Sequence, residues 1–242
     1  PHGWFIGIAS AGFLLLTLLR SRLALLGIPP LLLAFGLSAA TSQRDLPDLL
    51  VHEDGSLVAL LDENKVYATK TRPHGFIYDQ WQRALLLPEK PLAPVILRKD
   101  VPTASGIALT KKSKLTRDEI KAVGRDMVAA LKDAAPGIFT CKSGRWCVAR
   151  AESGEWIIVL EDGRLAGKAC DIADIVIASR RTSFAQCRSG ALLLNRDILR
   201  RIGSVEIDFA RSDQPGVVGR LRASTAGANR PWSEHRYYDL SL

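Results

Sequence analysis

The first forty residues contain two long apolar runs that follow each other directly. The runs cover residues 3–19 and 23–40, and Arg20 and Arg22 stand between them. Each run is close to the ~20 apolar residues that cross the core of a bilayer as a helix. The pattern therefore predicts two N-terminal transmembrane helices, a hairpin over residues 1–40. Pro29-Pro30 is compatible with this prediction, because neighbouring helices can satisfy the freed backbone groups.

The charge between the two runs predicts an orientation. Short loops rich in Lys and Arg stay on the cytoplasmic side of a membrane. Arg20 and Arg22 would then hold the turn inside, and the chain beyond it would be extracytoplasmic. A signal peptide is the alternative, with residues 23–36 as its apolar region and 38–40 as its cleavage site. The apolar run before residue 23 argues against it, and the first residue, Pro1, favours a piece of a longer multi-pass protein.

Residues 41–210 alternate between short apolar segments and polar turns, which predicts an α+β domain. Thr116 and Glu119 form a capping box at the start of one helix, and Asn195 suits the N-cap of another. The spacing of apolar residues and turn signals predicts helices at 76–87, 116–133 and 195–202, and strands at 49–52, 57–61, 66–69, 138–142, 146–151, 156–160, 174–179, 191–194 and 205–209.

Two segments lack such a pattern. Residues 98–115 are polar and weakly patterned, which predicts a flexible insertion. Residues 211–242 are rich in Arg, Gly and Ser, which predicts a mobile basic tail.

The net charge suggests anionic partners. The chain has 33 Lys and Arg against 25 Asp and Glu, a formal net charge of +8. Such a balance suits contact with nucleic acid or lipid headgroups. Many of the cations stand beside an Asp or Glu, so the charge alone shifts the expectation towards nucleic acid only slightly.

All four cysteines lie beyond the apolar runs: Cys141, Cys147, Cys170 and Cys187. An even number in an oxidising compartment indicates disulfides, and no C-x-x-C spacing points to structural zinc. A short loop around Gly144 would place Cys141 opposite Cys147 on a hairpin, at the separation that a disulfide needs. Cys170 and Cys187 would form the second bridge. Four reduced core cysteines are the alternative.

Several segments in this order resemble one family. The apolar hairpin, PDLLVHEDGSLVALL, the QW pair in the helix at 76–87, CDIADIVIAS and ALLLNRDILRRIGSVEIDF look like the C-terminal part of ComEC-type competence proteins, alphaproteobacterial branch. The resemblance implies the last membrane spans and outer domain of an inner-membrane DNA-uptake channel. It also implies membrane lipid, single-stranded DNA and other competence machinery as partners.

The chemistry of an active relative is missing. Many members of that family end in a metallo-β-lactamase-like domain, whose HxHxDH cluster binds metal and activates water. The four histidines, His2, His52, His74 and His235, do not have that spacing. The resemblance therefore implies a degenerate, metal-less form of the sheet, without catalytic residues or cofactor. A metal-dependent hydrolase or nuclease, and a purely structural envelope domain, are the alternative functions.

The strand DIVIAS would lead into a metal-binding turn in an active relative, and here it leads into Arg180 and Arg181. Arginine stays protonated and cannot ligate metal. These two residues and Arg188 are candidate contacts for DNA phosphates. Ion pairs with neighbouring acids, worth roughly 0–1 kcal/mol each, are the alternative role. His52-Glu53-Asp54 resembles a ligand set in isolation, but it falls across a strand end and a turn, and a solvent-exposed turn is the favoured interpretation.

Overall fold

A computed structural model describes residues 3–19, 22–41, 46–62, 65–73, 75–97, 115–210 and 218–225. The chain divides into two compact units. We call Pro1–Leu46 the apolar unit and Pro47–Leu242 the sandwich unit. The predicted boundary at residue 40 lies close to this division.

The apolar unit consists of two helices and a short connecting helix. Helix α1 covers Gly3–Leu18, a 3-10 helix covers Arg22–Gly27, and α2 covers Ile28–Thr41. The two prolines fall in the first turn of α2, where a backbone N–H is not needed. Glycines let the segments approach closely: a Cβ at Gly12 would lie 2.9 Å from Leu31 Cγ and 3.0 Å from the Gly27 carbonyl oxygen.

The two transmembrane helices that the sequence predicts are not supported. Among the described residues, no helix is both long and apolar enough to cross a membrane. Helix α1 has 16 residues and α2 has 14, against the ~20 that a span requires. The second apolar run divides because regular α-helix begins only at Ile28, beside the prolines.

The sandwich unit contains two β-sheets. Its helices are α3 (Gly75–Leu85), α4 (Arg117–Asp133), α5 (Ala166–Cys170) and α6 (Arg196–Ile202), and its strands are β1 (Leu49–Val51), β2 (Val58–Asp62), β3 (Lys65–Ala68), β4 (Val95–Leu97), β5 (Thr140–Lys142), β6 (Trp146–Arg150), β7 (Trp156–Leu160), β8 (Ile175–Ala178), β9 (Leu192–Asn195), β10 (Val205–Phe209) and β11 (Val218–Ala223). The first sheet has the order β11-β10-β1-β2-β3, and the second has the order β4-β5-β6-β7-β8-β9.

Four layers follow from how the strands bury their two faces. Strand β7 sends Ile157 and Val159 into a core between the sheets, and Ile158 and Leu160 into a core under α4 and α5. Both faces are covered, which explains why this strand reads as a continuous apolar run. Helix α3 covers the outer face of the first sheet through Tyr78. The unit is therefore a helix–sheet–sheet–helix sandwich, and the predicted α+β class is confirmed.

Most of the predicted helices and strands are present, and the differences concern β4, α5 and β11. The capping box at Thr116 and Glu119 is formed, and Asn195 caps α6. Strand β4 and helix α5 were not predicted from the sequence. Inside the segment predicted as a mobile tail, Val218–Ala223 pairs with β10 as strand β11, where Arg222 forms ion pairs with Glu206 and Asp208. The predicted insertion, apart from Leu115, and the rest of the tail, apart from residues 218–225, lie outside the described residues.

Candidate functional site

A cleft opens at one end of the sandwich unit, where both sheets present their loops. Strands β7 and β8 run parallel and end together, with Leu160 opposite Ala178. The turn between β1 and β2 reaches the same end, because a Cβ at Gly55 would lie 3.2 Å from Ser179 Cα. Ligands of α/β proteins commonly bind beyond the carboxyl ends of parallel strands. The cleft has a volume of about 590 Å³ and is lined by Gly55, Ser56, Thr69, Lys70, Gly144, Cys147, residues 159–164 and residues 179–181.

The cleft carries more cations than acids. Lys70 follows β3 in the first sheet, and Arg180 follows β8 in the second. Both side chains are exposed, and within the described residues neither forms an ion pair. Arg164 and Arg181 do pair with acids, the first with Asp162 and the second with Asp197 at 3.2 Å.

Arg164 and Asp162 form an ion pair at the β7 end of the cleft. The Arg164 Nη2 donates to Asp162 Oδ2 at 2.6 Å, and its Nε donates to Oδ1 at 2.9 Å. These hydrogen bonds lower the pKa of Asp162 below its usual range, against an opposing effect of burial. Asp162 also accepts from the Arg164 backbone N–H, so it caps the short 3-10 helix Gly163–Leu165.

Gly163 allows this helix to pack against the turn that carries Arg180 and Arg181. A Cβ at Gly163 would overlap the Arg181 carbonyl oxygen, a backbone atom that cannot move aside by rotation. The two loops therefore contact each other through their backbones. The arginine turn can take this position because residue 163 is a glycine and has no Cβ.

We expect Gly163→Ala to lower the free energy of unfolding by about 1–3 kcal/mol, since it forces a backbone shift in a packed region. Urea denaturation of the purified protein measures this. Gly167→Ala is the matched control: it lies in α5, its Cβ would meet only Phe184 Cε1 at 3.9 Å, and it is expected to be neutral or to stabilise by up to about 1 kcal/mol. Equal effects of the two substitutions would contradict the proposed contact.

The structure separates the three arginines that the sequence groups together. Arg180 and Arg181 line the cleft after the end of β8. Arg188 lies near the start of β9, where Leu192 is opposite Ile175 at the start of β8. Because β8 and β9 are parallel, the loop between them returns along the length of the strands, from the end of β8 to the start of β9. Arg188 is exposed at the opposite end of these strands and does not line the cleft.

This β8–β9 loop is held at several points. The Asn195 Nδ2 donates to Thr182 Oγ1 at 2.8 Å, while its Oδ1 accepts from the Ile198 N–H at the start of α6. Phe184 packs on the core under α5. These contacts fix the arginine turn to the core of the unit.

Both predicted disulfides are present. Cys141 lies directly opposite Cys147 across the β5–β6 hairpin, with Cα atoms 4.0 Å apart. Cys170 in α5 is bonded to Cys187 in the β8–β9 loop. These two bridges use all four cysteines of the chain, so the alternative of four reduced core cysteines is not supported.

His52 and Asp54 form a pair within the β1–β2 turn. The His52 Nδ1 lies 2.8 Å from Asp54 Oδ1, and the Ser56 hydroxyl donates to Oδ2 at 2.8 Å. Burial raises the pKa of Asp54, but the hydrogen bonds from His52 and Ser56 outweigh it and bring the pKa far below its usual range. The His52 side chain is 18 % exposed and its ring contacts Trp81, whereas the Asp54 side chain is 54 % exposed.

The part of the chain that the structure describes contains no candidate metal-binding site. No group of three or more His, Cys, Asp or Glu side chains is placed there to hold a metal ion. His2, His74 and His235 lie outside the described residues.

Sequence reasoning missed Lys70 and Arg164 as cleft residues. Lys70 follows a strand of the first sheet and Arg164 follows one of the second, so only the packing of the sheets brings them together. The available local signal was the Asp162-Gly163 turn, which marked the end of β7. No family model, curated protein or solved structure matches this chain.

Proposed function

We propose that this chain is the C-terminal part of a ComEC-type DNA-uptake protein of the bacterial inner membrane. In this proposal the apolar unit contacts lipid, and the sandwich unit is a non-catalytic outer domain with a degenerate metallo-β-lactamase-like fold. The cleft and its arginine turn contact the phosphates of single-stranded DNA. The observation that carries the proposal is the combination, in one chain, of an uncharged apolar helix pair with a disulfide-bonded domain whose cleft is rich in cations.

The apolar unit supports the membrane part of the proposal. Trp4 is 83 % exposed, and Leu18 and Phe35 are 75 % and 76 % exposed. Helices α1 and α2 contain no Asp, Glu, Lys or Arg. Exposed apolar surface of this extent marks a site of contact with another apolar phase or partner, and lipid is the partner that suits helices without charges.

The disulfides support an extracytoplasmic location for the sandwich unit, because disulfides persist in oxidising compartments. A reporter fused after Gln43 is therefore expected to be active only outside the cytoplasm. Paired fusions of alkaline phosphatase and green fluorescent protein test this, since the first requires the periplasm and the second folds in the cytoplasm. Fluorescence without phosphatase activity at this position would rule the location out.

The arginine turn supports the DNA part. Arg180 is exposed and has no ion-pair partner among the described residues. Arg181 is exposed as well, and the Asp197 side chain with which it pairs is about half exposed to solvent. Contacts from such side chains to phosphate release condensed counterions, so they show in the salt dependence of binding.

We expect Arg180→Ala/Arg181→Ala to weaken binding of single-stranded DNA equally for all sequences. The slope of log affinity against log salt should fall by about 0.7 for each phosphate that the variant no longer neutralises. Filter binding of the full chain at several salt concentrations measures it. Arg200→Ala/Arg201→Ala removes the same charge from the last turn of α6 and serves as the control. An unchanged slope in the first double variant, with its circular dichroism intact, would leave surface ion pairing as the role of these arginines.

A further inference from the structure

In the described part of the chain, two of the four cations that line the cleft form ion pairs with acids, and two do not. Arg164 and Arg181 are engaged by Asp162 and Asp197. Lys70 and Arg180 have no carboxylate partner within the described residues, and both are exposed. Lys70 follows a strand of the first sheet and Arg180 follows a strand of the second. The two cations therefore line the same cleft only when the two sheets are packed together. Neither lies in a helix, where such charges commonly cover a solvated face.

The size of the cleft limits what can occupy it. Its volume of about 590 Å³ falls within the range of about 300–1,000 Å³ that small-molecule sites occupy. No aromatic side chain lines it among the described residues, so a base would find no stacking platform of the kind that single-strand-binding proteins use. Recognition would therefore come from the anionic group of a ligand.

We infer that the cleft is a binding site for a phosphate monoester of nucleotide size, held between Lys70 and Arg180. A monoester carries a charge of about −1.5 to −2 at neutral pH, more than the phosphodiester inside a strand, and gains most from two cations. The ligand is either a free mononucleotide or the phosphorylated end of a DNA strand. The second source rests on the proposed function, whereas the first does not.

Glu161 gives the inference an internal check. Its side chain is exposed and lies among the lining residues. A carboxylate beside a bound phosphate opposes binding, since like charges repel. Its removal should therefore tighten binding, whereas removal of either cation should weaken it.

Calorimetric titration of the full chain in detergent with deoxyadenosine monophosphate tests the inference. Lys70→Ala and Arg180→Ala should each weaken binding about tenfold, the effect of removing one charged hydrogen bond. Arg180→Lys should retain most of the affinity, and Glu161→Gln should raise it about twofold to threefold. Arg188→Ala is the matched control, because it removes one exposed cation from the opposite end of the strands and should change affinity less than about twofold.

Two further ligands separate the sources. Deoxyadenosine, which lacks the phosphate, should not bind, and deoxycytidine monophosphate should bind as well as the adenine nucleotide. Competition by a 5′-phosphorylated oligonucleotide, but not by its 5′-hydroxyl form, supports the strand end as ligand; competition by neither supports the free nucleotide. Binding of deoxyadenosine with similar affinity, or an equal weakening in Arg188→Ala, overturns the site. Failure of DNA binding alone would count against the proposed function and leave mononucleotide binding standing.

Discussion

Replacing Phe139 with Ala is expected to lower the free energy of unfolding of the sandwich unit by about 3–5 kcal/mol. Phe139 is fully buried in the core between the two sheets, just before β5. Its removal costs the transfer free energy of the ring and leaves a cavity that the closely packed sheets cannot fill. A decrease of this size is a large fraction of the roughly 5–15 kcal/mol that stabilises a typical domain.

Urea titration followed by near-ultraviolet circular dichroism measures the change. Phe76→Ala is the matched control, because it makes the same chemical change at a side chain that is 75 % exposed at the start of α3. The control should shift the free energy of unfolding by no more than about 0.5 kcal/mol. Similar decreases in both variants would show that Phe139 does not pack in the core as described.

Elements whose signal is local were predictable from the sequence. Strand β7 and strand β8 are continuous apolar runs, and their residues are buried on both faces. The capping residues Thr116 and Asn195 identify the starts of α4 and α6 because an N-cap side chain acts within one turn. The opposition of Cys141 and Cys147 follows from a tight hairpin, which is also a local feature.

Elements that depend on distant partners were not predictable. Strand β4 is three residues long, and all three residues are exposed. It forms through parallel pairing with β5, which lies beyond α4 along the chain. Strand β11 lies in an Arg-rich, Gly-containing segment, and its cross-strand ion pairs involve acids on β10. The local pattern of apolar and polar residues does not predict pairing with such distant strands.

The candidate site shows the same division. The arginines at 180 and 181 could be placed at the end of a strand, because DIVIAS reads clearly as one. The contribution of Lys70 required the packing of the first sheet on the second. The grouping of Arg188 with the other arginines followed chain distance, which is misleading where a loop runs the length of a parallel strand pair.

Removal of the Cys170–Cys187 bridge is the other change expected to have a large effect. The bridge joins residues 17 apart in sequence, and the loop-entropy relation gives about 3 kcal/mol of stabilisation for a loop of this length. The Cys170→Ala/Cys187→Ala variant should unfold at correspondingly lower urea concentration. Its β8–β9 loop retains the Asn195 and Phe184 contacts, so the native fold should persist at low urea.

The other bridge provides the comparison. Cys141 and Cys147 are 6 apart, so the same relation gives about 2 kcal/mol for Cys141→Ala/Cys147→Ala. Unfolding in the presence of a strong reductant should bring the wild type and both variants close together, because the constraint on the unfolded chain is then absent from all three. Wild type and variants that already unfold at the same urea concentration under oxidising conditions would show that the bridges do not constrain the unfolded chain.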